Sequence, residues 1–262
     1  MKYSFMSFSC PDADIDKLLA IANMYGYNGI EPRISAGHKH GIEPGADKKY
    51  LREVRKKAEE SQVAICCIAA SCSFADAESW HENIDAAKRT IELAAETGAQ
   101  VIRVFGGGIS SEFERAKSFD LIVEALEELS EAASSAKVNV CLETHDSWCD
   151  PHVVADIMEQ VDRPFMAVNW DIMHPVLQKF ATVDKSFEIL KQWIRHVHVH
   201  DGVFTDGKLE FKAIGEGAVN HEAAVRLLKS AGYDGYISGE WISWEPYEIC
   251  LPREIKKLKS FE

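Results

Sequence analysis

The run Ala64-Ile65-Cys66-Cys67-Ile68-Ala69 decides how this chain folds. Every residue in it is apolar, and this lack of alternation is typical of a β-strand that is buried on both faces. Such strands occur in parallel sheets covered by helices, because parallel neighbours need a long crossover connection, usually a helix. The run therefore predicts an α/β fold with a parallel sheet at its centre.

The same alternation of strand and helix continues on both sides of this run. Apolar residues recur at helical spacing between short apolar segments, and glycines such as Gly26, Gly98 and Gly232 stand where helices should end. The predicted strands are Tyr3–Phe8, Tyr27–Glu31, Val63–Ser71, Val101–Phe105, Val138–Glu143, Phe165–Asp171, His196–His200 and Tyr236–Glu240. The predicted helices are Asp12–Tyr25, Lys48–Glu60, Ser79–Thr97, Phe113–Ala136, Pro151–Val161, Thr182–Trp193, Asn220–Ala231 and Pro246–Lys259.

Eight strand–helix units with no linker between them predict a single (β/α)8 TIM barrel, one domain that spans residues 1–262. The alternative is an open doubly wound sheet, which should carry a glycine-rich turn after its first strand. The first strand here runs into Ser7-Phe8-Ser9-Cys10-Pro11 instead, so the closed barrel is favoured.

Composition excludes several classes of function. No apolar run approaches the ~18 residues that a membrane-spanning helix needs, and the first residues lack the features of a signal peptide. We therefore expect a cytoplasmic protein that does not enter a membrane. The seven cysteines form no C-x-x-C pair, which favours buried, reduced thiols. The formal net charge of −13 argues against nucleic acid as a partner and favours a small-molecule substrate, with a homo-oligomer left open.

Four consecutive predicted strands bring metal-binding side chains to one rim of the barrel. Active sites of such barrels lie at the carboxyl ends of the strands. Those ends supply Glu143, Asp171, the alternating histidines of His196–His200, and Glu240. Buried carboxylates cost several kcal/mol unless they are paired or bind a cation. The set therefore predicts one divalent metal ion, with Mn²⁺, Mg²⁺ or Co²⁺ favoured and Zn²⁺ compatible.

The three histidines of the seventh strand share one face at different heights, because alternate side chains of a strand point the same way. The lowest, His196, should lie in the core and the highest, His200, at the mouth. This geometry alone does not choose the metal ligand.

Further motifs occur in a fixed order along nearly the whole chain. They are Gly29-Ile30-Glu31, Leu142-Glu143-Thr144-His145, Asp171-x-x-His174, His196-Val197-His198, Ile214-Gly215-Glu216-Gly217, Ala231-Gly232-Tyr233-Asp234-Gly235-Tyr236 and Glu240-Trp241. With them the chain resembles the xylose-isomerase-like TIM-barrel superfamily, which includes sugar isomerases and epimerases, inosose dehydratases and 3-dehydroshikimate dehydratases. The resemblance implies that the metal is held by Glu143, Asp171, His198 and Glu240, with His200 as the alternative histidine.

The resemblance also implies a reaction. It is that of a divalent-metal-dependent sugar or polyol isomerase or epimerase, which transfers a proton next to a carbonyl through a metal-stabilised enediolate. Glu143 and Glu240 would then serve as acid and base as well as ligands, and His174 would contact substrate oxygens. The expected substrate is a sugar, a polyol or a cyclic hydroxy-ketone.

Two residues support a second interpretation, a metal-dependent lyase of the 3-dehydroshikimate or inosose dehydratase type. Arg103 stands inside an apolar strand, so it should pair with a carboxylate such as Glu143 or face the substrate. Arg103 and His145 both match positions that serve substrate binding and catalysis in the 3-dehydroshikimate dehydratases. Cys149 and Phe204 replace residues that ketohexose 3-epimerases use, which makes a close relative of those enzymes a poor fit.

Two charged residues close the second predicted strand. Glu31 and Arg33 are expected either to pair with each other or to contact the substrate. Substrate choice should depend on the loops 35–47 and 204–217, whose conformations do not follow from the sequence.

Overall fold

The computed structural model of the chain describes residues 1–109, 114–242 and 244–262. Its strands are β1 Lys2–Met6, β2 Gly29–Glu31, β3 Ala64–Ile65, β4 Ile68–Ser73, β5 Val101–Phe105, β6 Asn139–Glu143, β7 Met166–Asp171, β8 Ile194–Val199, β9 Asp201–Thr205, β10 Lys208–Lys212 and β11 Tyr236–Gly239. Its helices are α1 Ile15–Tyr25, α2 Lys48–Ser61, α3 Trp80–Thr97, α4 Arg115–Ala136, α5 Pro151–Val161, α6 Met173–Leu177, α7 Val183–Leu190, α8 His221–Ser230 and α9 Tyr247–Lys259.

Parallel strands form a nearly closed barrel with the helices around it, in the order β3-β2-β1-β11-β8-β7-β6-β5-β4. The predicted (β/α)8 barrel is thereby confirmed. The third predicted strand, 63–71, is divided into β3 and β4, which lie at the two ends of this order. Because the two pieces are joined by Cys66 and Cys67, this stretch of chain closes the barrel, helped by a parallel bridge between Arg33 and Ala69.

Local signals in the sequence set the ends of the helices. The Asp14 side chain accepts a hydrogen bond from the Lys17 N–H and caps α1, while Thr182 caps α7 in the same way. Gly26 ends α1 with φ +77°, a left-handed conformation that glycine adopts without steric cost. These caps explain why most helices begin and end within a few residues of their predicted bounds.

Three features differ from the prediction or lie beyond it. The predicted helix Phe113–Ala136 is observed as α4, and Phe113 itself lies outside the described residues. The short helix α6 follows β7 directly, and the antiparallel hairpin of β9 and β10 follows β8. The Asp206-Gly207 pair at the hairpin turn is a sequence signal for this hairpin that the prediction did not use.

The buried residues are mostly apolar, and most of the buried charged residues lie near the carboxyl ends of the strands. All seven cysteines are buried and free of disulfide bonds, as the sequence predicted. Burial raises the pKa of Cys72 to about 11, which keeps that thiol protonated at neutral pH. Within the part of the chain that the structure describes, no helix is both long and apolar enough to span a membrane.

Shortening one core side chain should measure how tightly the helical layer packs. Leu126 in α4 is fully buried in the main core, so Leu126→Ala should lower the free energy of unfolding by about 2–5 kcal/mol. Met24 in α1 is 71% exposed, so Met24→Ala should change it by less than about 0.5 kcal/mol. Urea denaturation followed by circular dichroism compares the two variants, and equal losses would contradict this packing.

Candidate metal centre

The strand register brings the four predicted ligands to one level of the barrel. Asp171 of β7 pairs with His198 of β8. Ser238 of β11, which stands two residues before Glu240, pairs with the same histidine. One ligand atom from each of Glu143, Asp171, His198 and Glu240 lies within 4.8 Å of all the others, and all four residues are buried.

The contacts at the centre of this group fit a cation. His198 Nδ1 lies 2.5 Å from Glu143 Oε1 and 3.4 Å from Glu240 Oε2, yet it makes no aligned hydrogen bond. Glu143 Oε2 and Glu240 Oε2 likewise have no hydrogen-bond partner among the described residues. Buried polar atoms rarely lack partners. Three carboxylates and one imidazole that converge in this way provide the oxygen-rich donor set that hard divalent cations prefer.

The other side of His198 faces a carboxylate that the sequence did not single out as part of the centre. Glu31 at the end of β2 is fully buried and accepts hydrogen bonds from His196 Nε2 at 2.8 Å and His198 Nε2 at 3.0 Å. Of the two alternatives expected for Glu31 and Arg33, the pairing with each other is wrong. Arg33 instead donates to the carbonyl oxygens of Ile34 and Ala69 and to the Ser71 hydroxyl.

Opposite charges keep these buried groups ionised. Burial would raise the pKa of Glu240, but its interactions with His198, His200 and Arg103 lower it to about 2. Burial would lower the pKa of His198, but the carboxylates of Glu31 and Glu143 raise it well above its usual value. Glu240 and His198 are therefore both charged at neutral pH.

Three histidines form the mouth of the site above Asp171. His200 Nε2 lies 2.9 Å from Asp171 Oδ2, and His174 Nε2 lies 3.9 Å from the same oxygen. The ring centroids of His145 and His174 are 4.2 Å apart. His145 Nδ1 also pairs with Asp146 Oδ1 at 2.8 Å. Burial would lower the pKa of His145, but Asp146 and the other nearby carboxylates raise it to about 9.

Arg103 lies beside the candidate ligands, fully buried. Its Nε is 3.5 Å from Glu143 Oε2, and its Nη1 donates to the Ala70 carbonyl at 3.0 Å. The guanidinium also stacks on Phe105, 4.0 Å from the ring centroid. The structure thus brings all the predicted site residues into one cluster, with Arg103 next to Glu143 and His145 next to His174.

Asp201, a second residue that sequence reasoning missed, anchors the loop of residues 213–220 between β10 and α8. The Asp201 carboxylate accepts backbone N–H groups from Gly202, Gly215, Gly217 and Val219 at 2.9–3.2 Å. The Gly215-Glu216-Gly217 motif therefore wraps around a buried carboxylate. The available signal was the acidic residue directly after the predicted strand His196–His200.

A parallel barrel with this charged group at the carboxyl ends of its strands defines a TIM-barrel protein with a candidate metal centre. The chain belongs to the family described as Xylose isomerase-like TIM barrel, which matches residues 19–258. The family resemblance that the motifs indicated is thereby confirmed.

Individual proteins are similar to this chain at low identity. An uncharacterized protein of Methanocaldococcus jannaschii is 27% identical over 205 residues, which cover 73% of this chain and 68% of that protein. The structure of an L-ribulose 3-epimerase gives a TM-score of 0.82 at 15% identity and covers 100% of this chain and 96% of the other. The probable 3-DHS dehydratase AsbF of Bacillus anthracis gives 0.81 at 20% identity, with 99% of each chain covered. At these identities the structures show the shared fold alone.

Two further structures of the same fold contain divalent metals. A xylose isomerase-like TIM barrel protein of Mycobacterium smegmatis, in complex with magnesium, gives a TM-score of 0.76 at 17% identity over 99% of this chain and 96% of the other. The IOLI protein with a bound zinc atom gives 0.75 at 20% identity over 100% and 96%.

Replacing Asp201 should loosen the loop that it holds. In Asp201→Asn the amide has one acceptor oxygen in place of two, so the loss should be about 1–3 kcal/mol of unfolding free energy. Backbone hydrogen exchange should accelerate at Gly215, Gly217 and Val219, which donate to this carboxylate. Asp206→Asn, at an exposed position of the hairpin turn, is the control and should change neither quantity. Unchanged exchange in Asp201→Asn would show that the loop does not depend on this carboxylate.

Proposed function

We propose that this chain is a divalent-metal-dependent isomerase or epimerase of a sugar or polyol, which transfers a proton next to a carbonyl group. The observation that carries the proposal is that Glu143 and Glu240 approach the same nitrogen of His198, at 2.5 Å and 3.4 Å. Two carboxylates beside one cation position can serve as the base that removes a proton and the acid that returns it. Membership of the xylose isomerase-like family and the fold shared with an L-ribulose 3-epimerase support this reaction class.

Glu143, Asp171, His198 and Glu240 would hold the cation. When bound, it would polarise the substrate carbonyl and make the neighbouring C–H more acidic. The donor set favours Mn²⁺, Mg²⁺ or Co²⁺ and is compatible with Zn²⁺. We further propose that residues 1–262 act as one domain, because every candidate ligand comes from the same barrel.

Neighbouring residues prepare the two carboxylates for proton transfer. Asn169 Nδ2 donates to Glu143 Oε1 at 3.0 Å and fixes the carboxylate plane, while Arg103 Nε lies 3.5 Å from Glu143 Oε2. The Met173 and His174 N–H groups donate to Asp171 Oδ1 and fix that ligand. His174 and His200 line the mouth, where they can bind the hydroxyl groups of a substrate.

One observation favours a second candidate, a lyase that eliminates water. His145 pairs with Asp146 beside His174 and carries a pKa of about 9, so it is protonated at neutral pH. A protonated imidazole at the mouth can donate its proton to a leaving hydroxyl group. The fold shared with a probable 3-DHS dehydratase supports this alternative.

Metal binding is the first test of both candidates. Addition of Mn²⁺ to metal-free protein should raise its melting temperature, because a ligand at 100 times its dissociation constant stabilises by about 2.7 kcal/mol. Glu143→Gln and Glu240→Gln should abolish the rise, since each removes a charged ligand. Glu248→Gln, exposed on α9, should retain it. A wild-type protein that purifies without metal and does not respond to Mn²⁺ would refute the metal centre.

The two reactions separate in D₂O. The Mn²⁺-loaded protein is incubated with a panel of sugars, polyols and dehydroshikimate and followed by mass spectrometry and ultraviolet absorbance. An isomerase or epimerase incorporates deuterium and keeps the molecular formula, whereas a lyase loses water and produces a new enone absorbance. His145→Gln should lower kcat by about 10²–10⁴-fold if His145 is the acid of a lyase. Loss of water as the main outcome would overturn the leading proposal.

A further inference from the structure

Glu31 makes contacts that are unusual for a carboxylate in the interior of a barrel. It is fully buried, and its two oxygens receive His196 Nε2 at 2.8 Å and His198 Nε2 at 3.0 and 3.2 Å. Both histidines are themselves buried and belong to β8, whereas Glu31 ends β2. The side chain therefore reaches across the interior of the barrel to strand β8, which is not its neighbour in the sheet.

These contacts determine which nitrogen of His198 faces the candidate ligands. A carboxylate can only accept hydrogen bonds, so the proton between Glu31 and His198 belongs to Nε2. When the ring gives up its second proton to bind a cation, the lone pair that becomes available is therefore that of Nδ1, the atom that lies 2.5 Å from Glu143 and 3.4 Å from Glu240. If the imidazole ring rotated by 180° about its bond to Cβ, Nδ1 would point away from the other three candidate ligands.

His196 holds Glu31 in place. With a single partner, the carboxylate could rotate about its last bond and follow any movement of the His198 ring. The second hydrogen bond, from His196 Nε2, fixes the carboxylate from below. The three residues are close enough to hold an ion themselves. The two Nε2 atoms and the two Glu31 oxygens, however, already satisfy one another at hydrogen-bond distances, unlike His198 Nδ1 and the carboxylate oxygens around it.

We propose that Glu31 is a positioning residue for the metal centre, which orients His198 so that Nδ1 completes the ligand set of Glu143, Asp171 and Glu240. This inference rests on the proposed metal centre. Partners of this kind orient metal-binding histidines, and their loss commonly weakens metal affinity by 10–100-fold.

Replacement of Glu31 tests the proposal through metal affinity. Glu31→Gln keeps the shape of the side chain, but its amide has one acceptor oxygen for two N–H donors. The dissociation constant for Mn²⁺, measured from the electron paramagnetic resonance signal of the free ion, should rise by about 10–100-fold. Glu31→Asp keeps the charge on a shorter side chain and should give a smaller rise. If Glu31→Gln does not fold and Glu31→Asp does, a rise in the Mn²⁺ dissociation constant of Glu31→Asp supports the proposal, and an unchanged constant overturns it.

A matched control separates positioning from general stability. Glu254 is also fully buried, and it accepts hydrogen bonds from the Ile214 N–H and from Arg253, away from the candidate ligands. Glu254→Gln should destabilise the metal-free protein to a similar extent and leave the Mn²⁺ dissociation constant within about threefold. A dissociation constant that Glu31→Gln leaves equally unchanged would overturn the proposal.

A nitrogen NMR measurement reports on His198 without any metal. In wild-type protein labelled with ¹⁵N-histidine, His198 should show a slowly exchanging Nε2–H, because that proton is buried against Glu31. Glu31→Gln should remove the protection, and a protected proton that persists there would contradict the inference. If wild-type protein binds no Mn²⁺, the proposed function fails, whereas the NMR result still decides whether Glu31 orients His198.

Discussion

The cost of placing negative charge inside an apolar barrel governs the structure of this site. Four carboxylates, Glu31, Glu143, Asp171 and Glu240, are almost fully buried around His198. Each would be expensive alone, and attraction to the few nearby positive groups must offset that cost. Arg103, His198 and His200 supply this attraction from inside. The remaining excess of negative charge converges on one point, which is the physical basis for expecting a cation there.

The barrel and the four candidate ligands could be predicted from the sequence because both depend on local patterns. Strands buried on both faces leave continuous apolar runs, and a polar residue at the end of such a run stands out. The positions of Glu143, Asp171 and Glu240 follow directly from this rule. Choosing His198 needed more, since alternation along the strand treats three histidines alike, and only the contacts with Glu31 and Glu143 distinguish the middle one.

What could not be predicted depends on contacts between distant parts of the chain. Glu31 lies 167 residues from His198 in sequence, and its neighbour Arg33 was only one of the two partners considered for it. Asp201 accepts hydrogen bonds from a loop more than ten residues later in the chain, and no periodic pattern in the sequence indicates that contact. The division of the third strand into β3 and β4 reflects closure of the barrel as a whole. The choice between isomerase and lyase also depends on such a contact. His145 and its partner Asp146 lie in a short loop after β6, and the conformation of this loop, which the sequence pattern does not give, brings the two side chains together.

The Asp201 carboxylate also separates two parts of the molecule that could change independently. The hairpin of β9 and β10 leaves the barrel at Asp201, and the chain returns to the same carboxylate at Gly215 and Gly217. Residues inserted or deleted at the hairpin turn, Asp206 and Gly207, would alter the length of this arm but not the anchor at its base. The arm could therefore change in length and sequence while the hydrogen bonds to Asp201 hold the returning chain in place.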